Sequence, residues 1–369
     1  MQHKTFETSI NSWLMRRAVP NAIRRVADFS LALGSDVGLV RKENQDRVAI
    51  ARLTNGRGHN YVVGILCDGM GGMELGGTCA TLAVSSFLTS CHRNAFLTPK
   101  GRLSQATLDA NNAVYDVFSG SGGTTLSAFL YEDDNNFIGV NVGDSRIYSI
   151  SKTIDQLTVD DTLSGHFDGE IAKDHNHGRN DLLQFVGIGK DIEPHIIEFP
   201  EKGKDTLFML TSDGVHFLPK EIMHTISTVA NEPGLIIRRL LEVSKWCGGR
   251  DNASLIVFSR ESLLSETNDE NLVEIWDSFG ELQLFQSEKP RNIQTSTDLS
   301  VNKNISQVGI CLVEQNDSKN KHSKAKQRTN QRKGRKPKQK SLELNSGVEN
   351  KSEVETPKLI IQFEESHSK

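Results

Sequence analysis

The sequence predicts an α+β fold: two antiparallel β-sheets packed face to face as a sandwich, flanked by pairs of helices, with a disordered C-terminal tail. Three observations predict it. Short apolar or alternating runs separated by turn residues recur in hairpin-like pairs between residues 29 and 260. Two long helical patterns interrupt them, and two more lie near their end. Beyond Ser287 the chain becomes rich in Asn, Ser, Gln and Lys with few aromatics, a composition that cannot bury enough apolar surface to fold. Elements with one apolar face must bury it, and sheet on sheet with helices outside does so for both kinds. The expected organisation is an N-terminal extension (1–28), a globular unit (29–260), an apolar helical or docking segment (261–286) and a Lys-rich tail (287–369).

Taken in order, the first residues read as a loosely docked N-terminal extension, with a short amphipathic helix over 12–26, interrupted at Pro20, as the alternative. FSLALGSDVG reads as the first strand, and the polar cluster from Arg41 to Asp46 as the turn of a hairpin arm. VVGILCDGMGGMELGG is the stretch around which the chain is organised. A buried apolar strand ends at Cys67, Asp68 follows at once, and glycines make the turn into a helix over 73–92. A second helix covers 104–118. Strands at 124–131, 137–142 and 146–150 read as a meander turning through Gly143, Asp144 and Ser145. A polar, His-rich stretch contains one short helix near 181–186. EPHIIEF and TLFMLTSD are strands, helices follow at 219–230 and 234–246, and SLIVF closes the set.

Composition narrows the function. The net charge is −4, yet between Lys319 and Lys340 nearly every second residue is Lys or Arg, so the remainder is distinctly acidic. An acidic globular part suits divalent cations better than nucleic acid. Five cysteines, odd in number and without a C-x-x-C, argue for a reducing compartment and against zinc. With no signal peptide and no membrane span, the expected location is cytoplasmic.

The chemistry lies in carboxylates at strand ends. Asp68, Asp144 and Asp213 each end an apolar run, and Asp251 precedes one. Ionised groups avoid such places unless paired or bound to metal, and no Lys or Arg pattern accompanies them. Together with Asp46 and the bare carbonyl of Gly69 they are hard oxygen donors, which select Mg²⁺ or Mn²⁺. Two such ions about 3.5–4 Å apart can hold a hydroxide for in-line attack on phosphorus. Arg41, five residues before Asp46, is the candidate to grip the phosphate.

The ordered series GLVRKENQD, DGMGG, GGTTL, NVGDSRIY, LTVDD, TSDG and DNASLIV, over about 34–258, resembles the motif series of the metal-dependent type 2C protein Ser/Thr phosphatases in their bacterial form. The resemblance implies a β-sandwich with a two-metal Mg²⁺ or Mn²⁺ centre, and hydrolysis of phosphoserine and phosphothreonine in proteins modified by a partner kinase. Asp46 and Asp68 match bridging ligands, the Gly69 carbonyl, Asp213 and Asp251 terminal ones, and Arg41 the phosphate-binding arginine. Asp144 matches the position of a third metal, and Asn252 a structural position beside the last ligand. Two residues depart from the pattern. Met70 stands where animal members have a His that protonates the leaving alkoxide, and a thioether has no proton to give. Gln45 replaces a Glu that contacts metal-bound water.

Residues 162–179 match the family's mobile flap, and HGRNDLLQFVGIG lacks that motif's Pro. His166, His175 and His177 lack ligand spacing and read as a solvated flap; Thr124 and Thr125 read as strand packing. The run 319–340 suits a polyanion or an acidic partner. The alternative function is a catalytically weakened binding module acting through that tail.

Overall fold

The computed structural model describes residues 2–286, apart from 17–18, 27–29, 55–59, 71–74, 133–135, 167–181, 190–191, 201–205, 261–262 and 264–271, together with 358–363. Its elements are α1 (Gln2–Leu14), β1 (Asn21–Val26), β2 (Leu31–Asp36), β3 (Arg47–Thr54), β4 (Asn60–Cys67), α2 (Gly76–Arg93), α3 (Pro99–Phe118), β5 (Leu126–Tyr131), β6 (Phe137–Val142), β7 (Arg146–Ile150) and β8 (Ile154–Gln156). There follow α4 (Leu163–His166), β9 (His195–Glu198), β10 (Leu207–Thr211), α5 (Asp213–His216), α6 (Lys220–Ala230), α7 (Pro233–Trp246), β11 (Ala253–Ser259), β12 (Leu272–Trp276), β13 (Glu281–Gln286) and β14 (Lys358–Phe363).

The strands form two sheets, one ordered β1-β2-β11-β10-β7-β8 and the other β14-β13-β12-β3-β4-β5-β6-β9. Every pairing is antiparallel except β13 with β14. Alternation along the strands builds the layers. On β3, Val48 and Ile50 point between the sheets, where they meet Leu33, Phe129, Phe208, Ile256 and Phe258. Ala49, Ala51 and Leu53 point the other way, into a second core under α1, α2 and α3. A third core lies under α6 and α7, where Ile236, Ile237 and Leu240 cover Leu255 and Val257. The sandwich flanked by helices is therefore present. Phe129 of one sheet stacks on Phe258 of the other at 4.1 Å between ring centroids. Cys67, Cys79 and Cys91 are buried, and burial pushes the Cys91 thiol up to about 12, so all three behave as small hydrophobes.

Four local expectations are corrected. The region 12–26 is not one helix: α1 ends at Leu14, and 21–26 is the edge strand β1, paired along its length with β2. Residues 182–186 are not helical; Leu182 and Val186 make isolated bridges to Thr162 and Thr124. The segment expected as a helix or docking element contains β12 and β13, which extend the second sheet beyond β3. Its apolar residues alternate, and their burial against α1 favours strand over helix. Finally, β5, β6 and β7 are not a meander. β6 lies in one sheet and β7 in the other, so Gly143, Asp144 and Ser145 carry the chain across the sandwich. Gly143 does this at φ 98°, and a β-carbon there would press on Thr125 at 2.9 Å. The crossover therefore opens one end of the sandwich, where the acidic motifs collect.

Candidate metal centre and phosphate site

Each acidic residue is carried by an element end. Asp46 stands just before β3 and Asp68 just after β4, Asp144 is in the crossover, Asp213 opens α5 and Asp251 precedes β11. The backbone of Asp68 is clamped. Thr124 Oγ1 and Thr125 N donate to its carbonyl at 2.7 and 2.9 Å, and its own N donates to Thr125 Oγ1 at 3.0 Å. Thr125 Oγ1 lies 2.6 Å from Ser145 Oγ, which ties this turn to the crossover. Behind Asp68, a β-carbon on Gly69 would fall 2.4 Å from the Gly76 carbonyl oxygen and 2.7 Å from that of Gln45, so only glycine lets the three turns meet.

Asp46 is 3% exposed. Its Oδ2 accepts a hydrogen bond from Ser212 Oγ at 2.9 Å, and its Oδ1 has no hydrogen-bond partner. A buried carboxylate oxygen without a donor is costly, so a positive ligand is the natural complement. Burial, reinforced by the charges of Asp213 and Asp251, raises the Asp46 pKa to about 7 against the opposing effect of the nearby Ser254 and Ser212 hydroxyls. Burial and the charges of Asp46, Asp213 and Asp144 hold Asp68 well above the usual carboxylate range. Its accessible surface is only partly covered, so burial here reflects crowding by protein around an open mouth. Asp144 is raised to about 6 by burial and by Asp213 and Asp160. Asp213 is raised too, by burial and then by Asp251, although its side chain opens to solvent. Asp46, Asp68, Asp144 and Asp213 thus each sense the charge of at least one other acid of the group.

The expectation that these acids lack basic neighbours is corrected: the charges of Arg146 and Arg41 act on Asp144 and Asp213, and Asp251 is paired directly. Arg41 Nη2 donates to Asp251 Oδ2 at 2.6 Å. That hydrogen bond raises the Arg41 pKa, and the charges of Asp251, Asp213 and Asp68 add to it, which places the guanidinium against the acidic cluster. Asn252 fixes the loop that carries it. Its Oδ1 accepts from Gln45 N at 2.8 Å, and its Nδ2 donates to the carbonyls of Val37 and Glu43 at 2.9 and 3.0 Å.

Among the described residues, no three His, Cys, Asp or Glu side chains are gathered tightly enough to hold an ion as they stand. The donor set nevertheless fits a hard divalent cation. It is all oxygen, it includes the orphaned Asp46 Oδ1, and four of its carboxyls, Asp46, Asp68, Asp144 and Asp213, are held above the usual carboxylate range.

Sequence reasoning missed some supporting residues. Ser212 orients Asp46 and receives Ser254 N at 2.9 Å. Asp161 accepts from Gly143 N at 2.8 Å and bonds Gln184 and His195 at 2.9 and 2.7 Å, which braces the crossover from behind. Thr124 and Thr125, read as packing, clamp the Asp68 backbone. The side-by-side placement of Ser212 before Asp213 was the one available signal. Met70 N donates to Gly123 O at 3.1 Å, and its sulfur packs beside Gly123, so it offers no proton here. His175, His177 and the rest of the flap from 167, like the basic run 319–340, lie outside the described residues.

No family model and no curated protein matches this sequence. Solved structures do. The PPM Ser-Thr phosphatase MsPP of Mycobacterium smegmatis is 27% identical with a TM-score of 0.50, over 62% of this chain and 96% of that one. The fold is that of the bacterial PPM, or type 2C, Ser/Thr phosphatases. The serine/threonine phosphatase PstP/Ppp of Mycobacterium tuberculosis is 26% identical over 64% of this chain and 97% of its own, with a TM-score of 0.50. Stp1 of Staphylococcus aureus, at 24% identity and a TM-score of 0.53, supports the PPM fold alone. No described helix is long and apolar enough to cross a membrane.

Proposed function

We propose that this chain is a metal-dependent protein-serine/threonine phosphatase. The observation that carries the reading is the buried, unpartnered Asp46 Oδ1 at the centre of mutually repelling carboxylates in a PPM fold. Asp46, Asp68, Asp213, Asp251 and the Gly69 carbonyl would hold two Mg²⁺ or Mn²⁺ ions, and Asp144 a third. When bound, these ions would neutralise the cluster and activate water toward phosphorus.

The chain's own residues do the rest. Arg41, half exposed at the mouth, turns its guanidinium to the phosphate oxygens while Asp251 fixes its direction. Ser212 keeps Asp46 aimed inward, and Asn252 holds the Arg41 loop against β11. The Thr124–Thr125 clamp keeps the Asp68 turn rigid, as positioning to within fractions of an ångström demands. Met70 cannot protonate the leaving alkoxide, so the proton must come from solvent at the open mouth. Phosphoproteins made by an opposing kinase are the substrates of this reading, and a cytoplasmic signalling role goes with it.

The test is hydrolysis of an aryl phosphate and of phosphoserine and phosphothreonine peptides with Mn²⁺ or Mg²⁺, paired with calorimetric titration of the metal. Asp68→Asn should abolish turnover and weaken the titration. A wild-type chain that binds neither ion and hydrolyses nothing between pH 6 and 9 overturns the reading.

A further inference from the structure

The chain has three tryptophans, and two are buried: Trp13 on α1 and Trp276 on β12. The third, Trp246 at the end of α7, is 87% exposed, more than any other large hydrophobic residue described. Leu39 and Val40, the two residues before Arg41, are 66% and 65% exposed. Single exposed apolar residues are ordinary, but grouped ones mark a contact surface.

These residues come from the Arg41 loop and the end of α7, and the loop after α7 is bonded to the Arg41 loop. Leu39 N donates to the Gly249 carbonyl at 2.8 Å, and a β-carbon on Gly249 would touch Leu39 Cγ at 3.0 Å. A β-carbon on Gly38 would strike the carbonyl oxygens of Asp251 and Gly249 at 2.4 and 2.8 Å. Lys245 Nζ, beside Trp246, pairs with Asp36 Oδ2 at 2.8 Å. Trp246 thus ends a helix pinned to the base of the Arg41 loop. Leu39 and Val40 lead directly into Arg41, and exposed Arg41, Lys42 and Arg250 flank them with positive charge.

We propose that Leu39, Val40 and Trp246 recognise apolar side chains of a phosphoprotein segment whose phosphate is held at Arg41. This rests on the phosphatase reading above. An extended segment advances about 3.3 Å per residue, so side chains two or three positions from the phosphorylated residue lie about 7–10 Å from it and reach Leu39 and Val40. The cationic edge attracts the phosphate, and an indole supplies about 200 Å² of contact area at low entropic cost. The surface therefore selects substrates with a bulky apolar residue near the phosphoresidue.

The test uses the full chain with Mn²⁺ and two phosphothreonine peptides of equal length and charge, one carrying Leu and Phe beside the phosphothreonine, the other Gly and Ser. Wild type should favour the apolar peptide about tenfold in kcat/KM, chiefly through KM. Trp246→Ala should erase that preference, and Trp246→Phe should restore most of it. Fluorescence anisotropy of the labelled peptides reads the same ratio without turnover. A wild-type chain that hydrolyses nothing yet shows the binding preference sinks the phosphatase reading and keeps the surface. No preference in wild type, or the same preference in Trp246→Ala, overturns the proposal. So does sedimentation showing that wild type self-associates and Trp246→Ala does not, since the face would then belong to a second copy.

Discussion

Neutralising Asp46 should stabilise the metal-free protein while destroying its response to metal. In the folded chain its carboxyl ionises near pH 7 instead of 3.8, about three units high. Each unit is worth 1.36 kcal/mol, so keeping the charge buried costs roughly 4 kcal/mol above pH 7. The penalty is absent below pH 4, where folded and unfolded chains both hold the proton, and grows as pH rises toward 7. Asp46→Asn removes the charge, and its carbonyl still accepts from Ser212 Oγ. Allowing for an imperfectly bonded amide, the gain is about 2–4 kcal/mol at pH 8, which raises Tm by roughly 4–8 °C in a domain of this size. Mn²⁺ at a hundred times its Kd should add about 2.7 kcal/mol to wild type and little to the variant. Thermal melts at pH 8 in chelator and in excess Mn²⁺ measure both effects. A variant less stable than wild type in chelator, or one that Mn²⁺ stabilises equally, would refute the account of this site as a strained cation receptor.

Two further outcomes follow from buried groups elsewhere. His216, half-buried and 3.0 Å from Thr211 Oγ1, is depressed to about 3 by desolvation and by the Arg146 charge. The unfolded chain takes its proton near pH 6.5, so the stability this neutral ring contributes is complete above 6.5 and falls about tenfold in folding constant per unit as pH drops toward 3. Urea titrations should show the advantage of wild type over His216→Asn shrinking from pH 7 to pH 4.5; a constant difference contradicts it. On the far sheet, the buried Arg52 Nε donates to Glu274 Oε2 at 2.6 Å. Glu274→Ala should cost about 3–5 kcal/mol in chemical denaturation, and the apolar pair Arg52→Leu with Glu274→Leu should recover most of it. Equal losses in both would show that packing, not the stranded charge, is responsible.

Much of the sandwich was legible because its strands carry their own period. β6 and β7 fall where the alternation puts them, and α6 and α7 within a residue or so of their apolar faces. The acidic positions were legible because Asp at the end of an apolar run contradicts burial. What stayed hidden depends on the partner. The sequence of the crossover looks like any tight hairpin, and only the sheet that receives β7 decides otherwise. β12 and β13 read as helix or docking segment because their burial needs α1, more than 250 residues away. Arg41 paired with Asp251 for the same reason: nothing local to either residue announces the other.

In the first sheet β2 pairs with β11, residues separated by most of the folded region. Arg41 waits for Asp251 across 210 positions, and Ser212 reaches Asp46 across 166. A ribosome adding roughly 5–20 residues per second therefore spends roughly 10–40 s between making the arginine and making the aspartate that steadies it. During that interval the nascent chain holds the opening half of the pocket with no closing half. Under the proposed function the site is complete only once the strand after Asn252 pairs with β2, so an unfinished copy would lack part of it.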